Sequence, residues 1–105
     1  MGKKLESTGL TMHTIEAIQS VFKKYPHVTK AILYGSRAKG NYRRASDIDL
    51  TLMGDELTDS DLAKIDNDLD DLLLPYGIDL SLYTQLRNPD LIDHINRVGV
   101  EFYSL

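Results

Sequence analysis

The 105-residue sequence contains no cysteine. It can therefore form no disulfide framework and offers no thiolate nucleophile, which fits a reducing compartment. No apolar stretch approaches the roughly 20 residues that a membrane-spanning helix needs. The amino-terminal residues also lack the apolar segment of a signal peptide. We therefore expect a cytoplasmic protein that does not associate with membranes.

Acidic residues are missing from one long part of the chain. No Asp or Glu occurs from Ala17 to Ser46, where the charged residues are Lys23, Lys24, Lys30, Arg37, Lys39, Arg43 and Arg44. From Asp47 to Asp79 the balance reverses, and Lys64 is the only cation. A basic segment followed by paired acids suits a metal-chelated polyphosphate. On charge alone, two solvated surfaces of opposite sign are the simpler interpretation.

Length and overall composition predict one globular domain over residues 1–105, with residues 1–10 as a loose N-terminal segment. Hydrophobic residues make up 42% and charged residues 27%, which is ordinary for a globular protein. The chain is too short for a catalytic domain and a separate substrate domain. The formal net charge of −4 argues against general nucleic-acid binding.

Apolar periodicity and capping signals predict three helices. They lie between Thr11 and Pro26, between Thr58 or Asp59 and Pro75, and between Asn88 and Gly99. The buried stripe of the second helix is predicted to consist of Leu62, Ile65, Leu69, Leu72 and Leu73. Four strands are predicted at Val28–Tyr34, Asp47–Met53, Ile78–Tyr83 and Val100–Leu105.

Asp47 and Asp49 are the first candidates for chemistry. Strict alternation places both on one face of the second strand, about 6.5 to 7 Å apart at their Cα atoms. Two such carboxylates can share a divalent ion, and hard oxygen ligands suit Mg²⁺ or Mn²⁺. By itself the pair is weak evidence, because the end of a strand often exposes two aspartates.

Gly35 and Ser36 follow the first strand directly. A glycine here permits a tight turn and close backbone approach, and the serine offers a hydroxyl and an amide N–H to a phosphate oxygen. Arg37 and Lys39, directly after, are candidates for charge-assisted contacts with the same phosphate. The alternative is an ordinary turn with a serine helix cap. A P-loop is excluded, because Asn41-Tyr42 stands where that motif requires Lys and Ser or Thr.

The three histidines are predicted to have no part in a site. His13 and His27 have no partners at metal-ligand spacing, which favours surface or capping roles. His94 lies in the third helix beside the apolar Ile95. We interpret it as structural and remote from any acid pair.

Gly35-Ser36, ten further residues and Asp47-Ile48-Asp49 together form a compound motif. With this motif the sequence resembles the polymerase-beta-like nucleotidyltransferase superfamily. More narrowly, it resembles the minimal nucleotidyltransferases, short members often paired with a helical HEPN-domain toxin. The resemblance covers nearly the full chain, including Ile78-Asp79-Leu80. It implies an α/β (α+β) fold with a small mixed β-sheet flanked by about three helices.

The resemblance also implies a set of site residues. Asp47 and Asp49 would be the first two metal ligands, and Asp79 the third catalytic and metal-binding carboxylate. Gly35 and Ser36 would form the turn that binds the triphosphate of ATP. The implied cofactor is Mg²⁺, as two ions, with Mn²⁺ as a substitute.

The function implied by the resemblance is transfer of AMP from ATP to a tyrosine of a cognate HEPN toxin. The chain would then be an adenylyltransferase antitoxin that forms a hetero-oligomer with its toxin. Two alternatives stay open. One is an antitoxin that acts by complex formation alone, and the other is transfer of AMP to a small molecule or an RNA end.

Overall fold

The computed structural model describes residues 5–105, without the side chain of Glu6. A 3-10 helix at Leu5–Thr8 opens this part of the chain, and a second one lies at Tyr83–Gln85. The α-helices are α1 (Met12–Phe22), α2 (Ser36–Lys39), α3 (Asp59–Asp70) and α4 (Pro89–Val98). The strands are β1 (Lys30–Tyr34), β2 (Ile48–Met53), β3 (Ile78–Leu82) and β4 (Val100–Ser104).

The four strands form one mixed sheet in the order β3-β2-β1-β4. Strand β1 runs antiparallel to β2 and to β4, whereas β2 and β3 are parallel. Parallel neighbours need a crossover connection, and α3 supplies it between β2 and β3. The predicted fold class, a small mixed sheet with flanking helices, is confirmed.

The three longer helices begin where capping residues satisfy their first amide groups. Thr11 Oγ1 accepts from the Thr14 N–H at 3.1 Å. Thr58 forms a reciprocal capping box with Asp61. Asn88 Oδ1 accepts from the Asp90 N–H at 2.9 Å, and Pro89 occupies the first helical position.

The main core lies on one face of the sheet, against α1 and α3. The side chains of Leu33, Ile48 and Leu50 are fully buried there and pack in one cluster with Phe22 of α1 and Ile65 of α3. Helix α4 packs on the opposite face, over β1. The carboxylates discussed below lie on that second face, which α4 leaves partly open.

The structure differs from two of the predictions about packing. Leu73 was predicted to lie in the buried stripe of the second helix, but α3 ends at Asp70. Leu73 instead turns the chain with φ +55 and is 88% exposed. Of the predicted loose segment, residues 1–4 lie outside the described residues. Thr8 and Leu10 are buried and Leu5 packs against the core, so these three residues are held by the domain.

No helix within residues 5–105 is long and apolar enough to cross a bilayer.

Candidate active site

Two of the three candidate carboxylates lie side by side on neighbouring strands. Asp49 of β2 is paired in register with Asp79 of β3 and, on its other side, with Tyr34 of β1. Side chains that face one another across paired strands share a face of the sheet. Asp47 precedes Asp49 by two residues and therefore lies on the same face. The strands thus bring all three predicted carboxylates to one face of the sheet.

Asp47 and Asp49 each lie against a glycine. A Cβ atom built on Gly35 would stand 2.2 Å from Asp49 Oδ2, and one on Gly77 would stand 2.7 Å from Asp47 Oδ1. Gly35 also has φ +77, which favours glycine. The tight turn at Gly35 is present, and the predicted close approach of its backbone to a phosphate stays a prediction. The role of Gly77 was missed, because the residue also has the sequence position of a simple helix terminator.

Asp49 is half-buried, and its surroundings disfavour its charge. Burial raises the pKa of the Asp49 carboxyl above its usual value, and the negative charges of Asp79 and Asp47 raise it further. Burial also raises the pKa of the neighbouring Tyr34 phenol, although a hydrogen bond with Ser81 opposes this effect. A bound cation would relieve the repulsion among the three carboxylates.

The side chains in their present orientations do not form a finished metal site. Within the described part of the chain, no three His, Asp or Glu side chains converge as metal ligands do. The donor chemistry nevertheless fits Mg²⁺, which prefers carboxylate oxygens and completes its shell with phosphate and water. Asp47, Asp49 and Asp79 share one face of two neighbouring strands and are the residues that would hold such an ion.

The turn after β1 is built from Gly35 and α2. The Lys39 N–H donates to Gly35 O at 3.0 Å, and the Gly40 N–H donates to Ser36 O at 2.9 Å. Gly35 itself is the N-cap of α2, and Ser36 is the first helical residue. The alternative of a serine helix cap is therefore wrong. Ser36 is partly exposed at the end of β1, beside the glycine that borders Asp49.

Arg37 is a buried cation. Its side chain is 2% exposed. Nη1 donates to Thr8 O at 2.9 Å, and Nε and Nη2 donate to Ser46 O at 3.1 and 3.0 Å. Nη2 also donates to Arg44 O at 3.2 Å. The guanidinium fastens the N-terminal segment to the loop before β2. Its donors are thus directed at backbone carbonyls, and the predicted nucleotide contact of Arg37 stays a prediction.

Two tyrosine rings complete the surroundings of this guanidinium. Arg37 Cζ lies 5.1 Å from the centroid of the Tyr42 ring and 4.8 Å from that of Tyr76. Such cation–π contacts stabilise a cation that is withdrawn from water. Lys39, two residues along α2, is exposed. Its contact with phosphate stays a prediction.

His94 is the site neighbour that sequence reasoning misplaced. Its Nε2 atom accepts a hydrogen bond from the Gly35 N–H at 3.1 Å. Its ring meets the Tyr34 ring edge-on, with centroids 6.2 Å apart and an 80° angle between planes. The prediction that His94 is remote from the acid pair is wrong, since Gly35 borders Asp49. The contact depends on α4 packing over β1, which no local sequence pattern reveals.

A groove of about 480 Å³ runs between α3 and the edge strand β3. It is lined by the apolar Leu62 and Leu80 and by the acidic Asp59, Asp66 and Asp79. Asp79 is exposed and belongs both to this groove and to the row of carboxylates. The groove therefore leaves open space next to Asp79.

Known structures share this architecture. A chain of a toxin–antitoxin complex with AMP-PNP superposes with a TM-score of 0.69 at 19% identity, covering 87% of this chain and 73% of that one. A complex of the tri-AMPylated Shewanella oneidensis HEPN toxin with its MNT antitoxin gives 0.66 at 15% identity, covering 91% and 74%. At these identities the likeness shows the fold alone.

A smaller neighbour matches over almost its whole length. This putative nucleotidyltransferase from Sulfolobus solfataricus has a TM-score of 0.58 at 20% identity, covering 99% of this chain and 90% of that one. No curated protein is significantly similar in sequence. The model of the family described as Polymerase beta, Nucleotidyltransferase matches residues 16–105. The chain therefore belongs to the polymerase beta nucleotidyltransferase family.

Proposed function

We propose that this chain transfers AMP from ATP to a tyrosine hydroxyl of a partner HEPN-domain toxin and thereby acts as an antitoxin. The observation that carries the proposal is the packing of the Gly35 backbone against Asp49, in register with Asp79. This arrangement sets a turn suited to phosphate directly beside paired carboxylates. The structural neighbours with AMP-PNP and with an AMPylated HEPN toxin support the choice of nucleotide and acceptor.

The triphosphate of ATP would lie against Gly35 and Ser36, with the exposed Lys39 as a cationic contact. Nucleotidyltransferases of this family generally use divalent metal ions. Here Asp47, Asp49 and Asp79 would hold two Mg²⁺ ions. Mn²⁺ would be a substitute for Mg²⁺. When bound, the metal would neutralise charge on the triphosphate and polarise the α-phosphate.

The acceptor hydroxyl would reach the α-phosphate from the groove beside β3. Its oxygen forms a bond to the α-phosphorus, and the bond from that phosphorus to the bridging oxygen of the β-phosphate breaks. Pyrophosphate leaves with that oxygen. Asp79 takes the hydroxyl proton, because among the carboxylates that line the groove it is the one paired in register with Asp49. Positioning and charge neutralisation provide most of the acceleration.

A partner protein fits the openness of this site. The groove at Asp79 is bounded by α3 and β3 alone, so an acceptor can approach from solvent. A toxin bound there would form a hetero-oligomer with this chain. We propose that the reaction occurs in the cytoplasm, where ATP and a toxin of this kind would meet.

The test is transfer of AMP to the HEPN toxin encoded by a neighbouring reading frame. The two proteins are incubated with MgATP, and the intact mass of the toxin is measured for AMP-sized additions. The double variant Asp47→Asn with Asp49→Asn should lower the rate by on the order of 1000-fold. A matched control is Asp70→Asn with Asp71→Asn, which makes the same charge change at two exposed positions.

The outcomes separate the three functions. Mass additions with the wild type and the control, but not with the double variant, support adenylylation. A double variant that still neutralises the toxin indicates an antitoxin acting by complex formation. If the toxin is unmodified and a labelled small molecule or RNA end receives AMP instead, the acceptor assignment is wrong.

A further inference from the structure

The hydrogen bond between α4 and the turn after β1 joins residues that are 59 positions apart. The donor is the Gly35 N–H and the acceptor is His94 Nε2, at 3.1 Å. A backbone amide can only donate, so Nε2 must carry a lone pair. The imidazole is then neutral, with its proton on Nδ1.

This bond acts on a residue with an unusual backbone conformation. Gly35 has φ +77 and ψ −156, a combination open essentially only to glycine. Its carbonyl accepts from the Lys39 N–H, so His94 supplies the partner for its other polar backbone group. Both ends of the residue are thereby fixed, and the Asp49 carboxylate rests against it. Rotation of the Tyr34–Gly35 peptide would break the bond to His94.

The packing of α4 fixes the imidazole. Its ring lies edge-on to the Tyr34 ring, and Tyr34 is 7% exposed. The next residue along α4, Ile95, is 3% exposed, which anchors the helix to the sheet. A side chain held by such contacts can orient the group to which it bonds at little further cost in entropy.

We propose that His94 is a positioning residue for the nucleotide turn. As a neutral imidazole protonated on Nδ1, it holds the Gly35 peptide in the orientation in which Gly35 and Ser36 meet the triphosphate. This role rests on the proposed function, which it deepens by making α4 part of the nucleotide site. His94 acts through Gly35 and takes no part in proton transfer.

Two substitutions separate the hydrogen bond from ring packing. His94→Gln can place an amide oxygen near the position of Nε2, so it keeps an acceptor and loses the ring. His94→Phe keeps a ring against Tyr34 and loses the acceptor. The probes are the affinity for MgATP alone and the hydrogen exchange of the Gly35 amide measured by NMR. Thermal melting establishes that both variants fold.

We expect His94→Phe to bind MgATP about 5- to 10-fold more weakly, which matches the loss of one hydrogen bond. Its Gly35 amide should exchange faster than in the wild type. His94→Gln should stay within about 2-fold of the wild type in affinity, since the acceptor is retained. In the wild type, ¹⁵N shifts of the imidazole should show the proton on Nδ1 at neutral pH.

Equal affinity in both variants and in the wild type would overturn the proposal, as would a wild-type imidazole protonated on Nε2. If His94→Phe does not fold, the proposal is decided by the tautomer of the wild-type imidazole and by the affinity of His94→Gln for MgATP. A wild type that binds no MgATP would instead refute the proposed function. The Gly35 exchange rate needs no nucleotide, so it would still decide whether His94 holds the turn.

Discussion

The two faces of β2 have different tasks. On one face Ile48, Leu50 and Leu52 are at most 1% exposed and pack against the helices of the main core. On the other, Asp49 is half-buried, and Asp47, just before the strand, is exposed. Alternation along the strand assigns successive residues to opposite faces. The same short segment therefore carries the core and the site, and a slip of one residue would exchange them.

The face with the carboxylates is not uniformly open. Thr51, two residues after Asp49 on the same face, is fully buried, and its Oγ1 accepts from Ser81 Oγ at 3.0 Å. The Ser81 side chain also opposes the rise in the pKa of the Tyr34 phenol on β1. Hydroxyl groups on three neighbouring strands thus form a polar layer beside the carboxylates. In contrast to the main core, this layer holds the strands together by hydrogen bonds.

The largest loss of stability should come from shortening a buried side chain on the apolar face. Leu50→Ala is expected to lower the free energy of unfolding by about 3 kcal/mol, because it removes a fully buried side chain and leaves a cavity. Asp47→Ala, at an exposed position on the other face, should change stability by about 0.5 kcal/mol or less while abolishing AMP transfer. Urea denaturation followed by circular dichroism measures the stability of both variants. The intact mass of the toxin measures AMP transfer. Equal losses of stability would show that the two faces are not separable.

The second prediction contrasts two cations of α2. Arg37→Met leaves the carbonyls of Thr8 and Ser46 without their donors, so we expect a loss of about 2 to 3 kcal/mol in unfolding free energy. Lys39→Met should cost about 0.5 kcal/mol or less, because Lys39 is exposed, and should instead weaken MgATP binding. Urea denaturation and calorimetric titration with MgATP provide the measurements.

The opposite pattern would reverse this assignment. If Arg37→Met kept the stability of the wild type and lost affinity for MgATP, Arg37 would be the phosphate contact that the sequence predicts. If Lys39→Met left the affinity unchanged, the turn would bind phosphate without help from that side chain.

Local signals in the sequence were enough to predict most elements of the fold. The caps at Thr11 and Thr58 and the alternation around Asp49 each depend on neighbours within a few residues. Local signals were not enough to predict the site, because Arg37 bonds to Thr8 across 29 positions and His94 bonds to Gly35 across 59. Contacts at such separations depend on how the helices pack, so no spacing rule reveals them.

Gly77 shows a subtler limit. A glycine shortly after Pro75 is what the end of a helix predicts, and that local explanation hid a second role. The parallel pairing of β2 with β3 places Gly77 beside Asp47, where an added Cβ atom would require the carboxylate to rotate. One residue can therefore satisfy a local rule and also border a site residue, and sequence reasoning stops at the first.

The smallest effect concerns the cost of keeping Asp49 charged in the fold. Burial and two neighbouring carboxylates raise the pKa of Asp49 in the folded state above its ordinary value of 3.8. The folded chain then binds this proton more tightly than the unfolded chain does. The stability that protonation contributes is present below that ordinary value and is lost as pH rises through the folded pKa. At neutral pH, Asp49→Asn should therefore be more stable than the wild type.

The gain should stay below about 1 kcal/mol, since Asp49 is only half-buried and solvent screens the repulsion. Urea denaturation at a series of pH values should show the gap between Asp49→Asn and the wild type closing toward acid. Added MgCl₂ should narrow the gap at neutral pH, because a cation favours the ionised carboxylates of the wild type. The exposed Asp70→Asn is the control and should show no such closing. If Asp49→Asn were less stable than the wild type at neutral pH, Asp49 would already have stabilising partners in the fold. Both faces of β2 would then contribute to stability, and they would differ only in their chemistry.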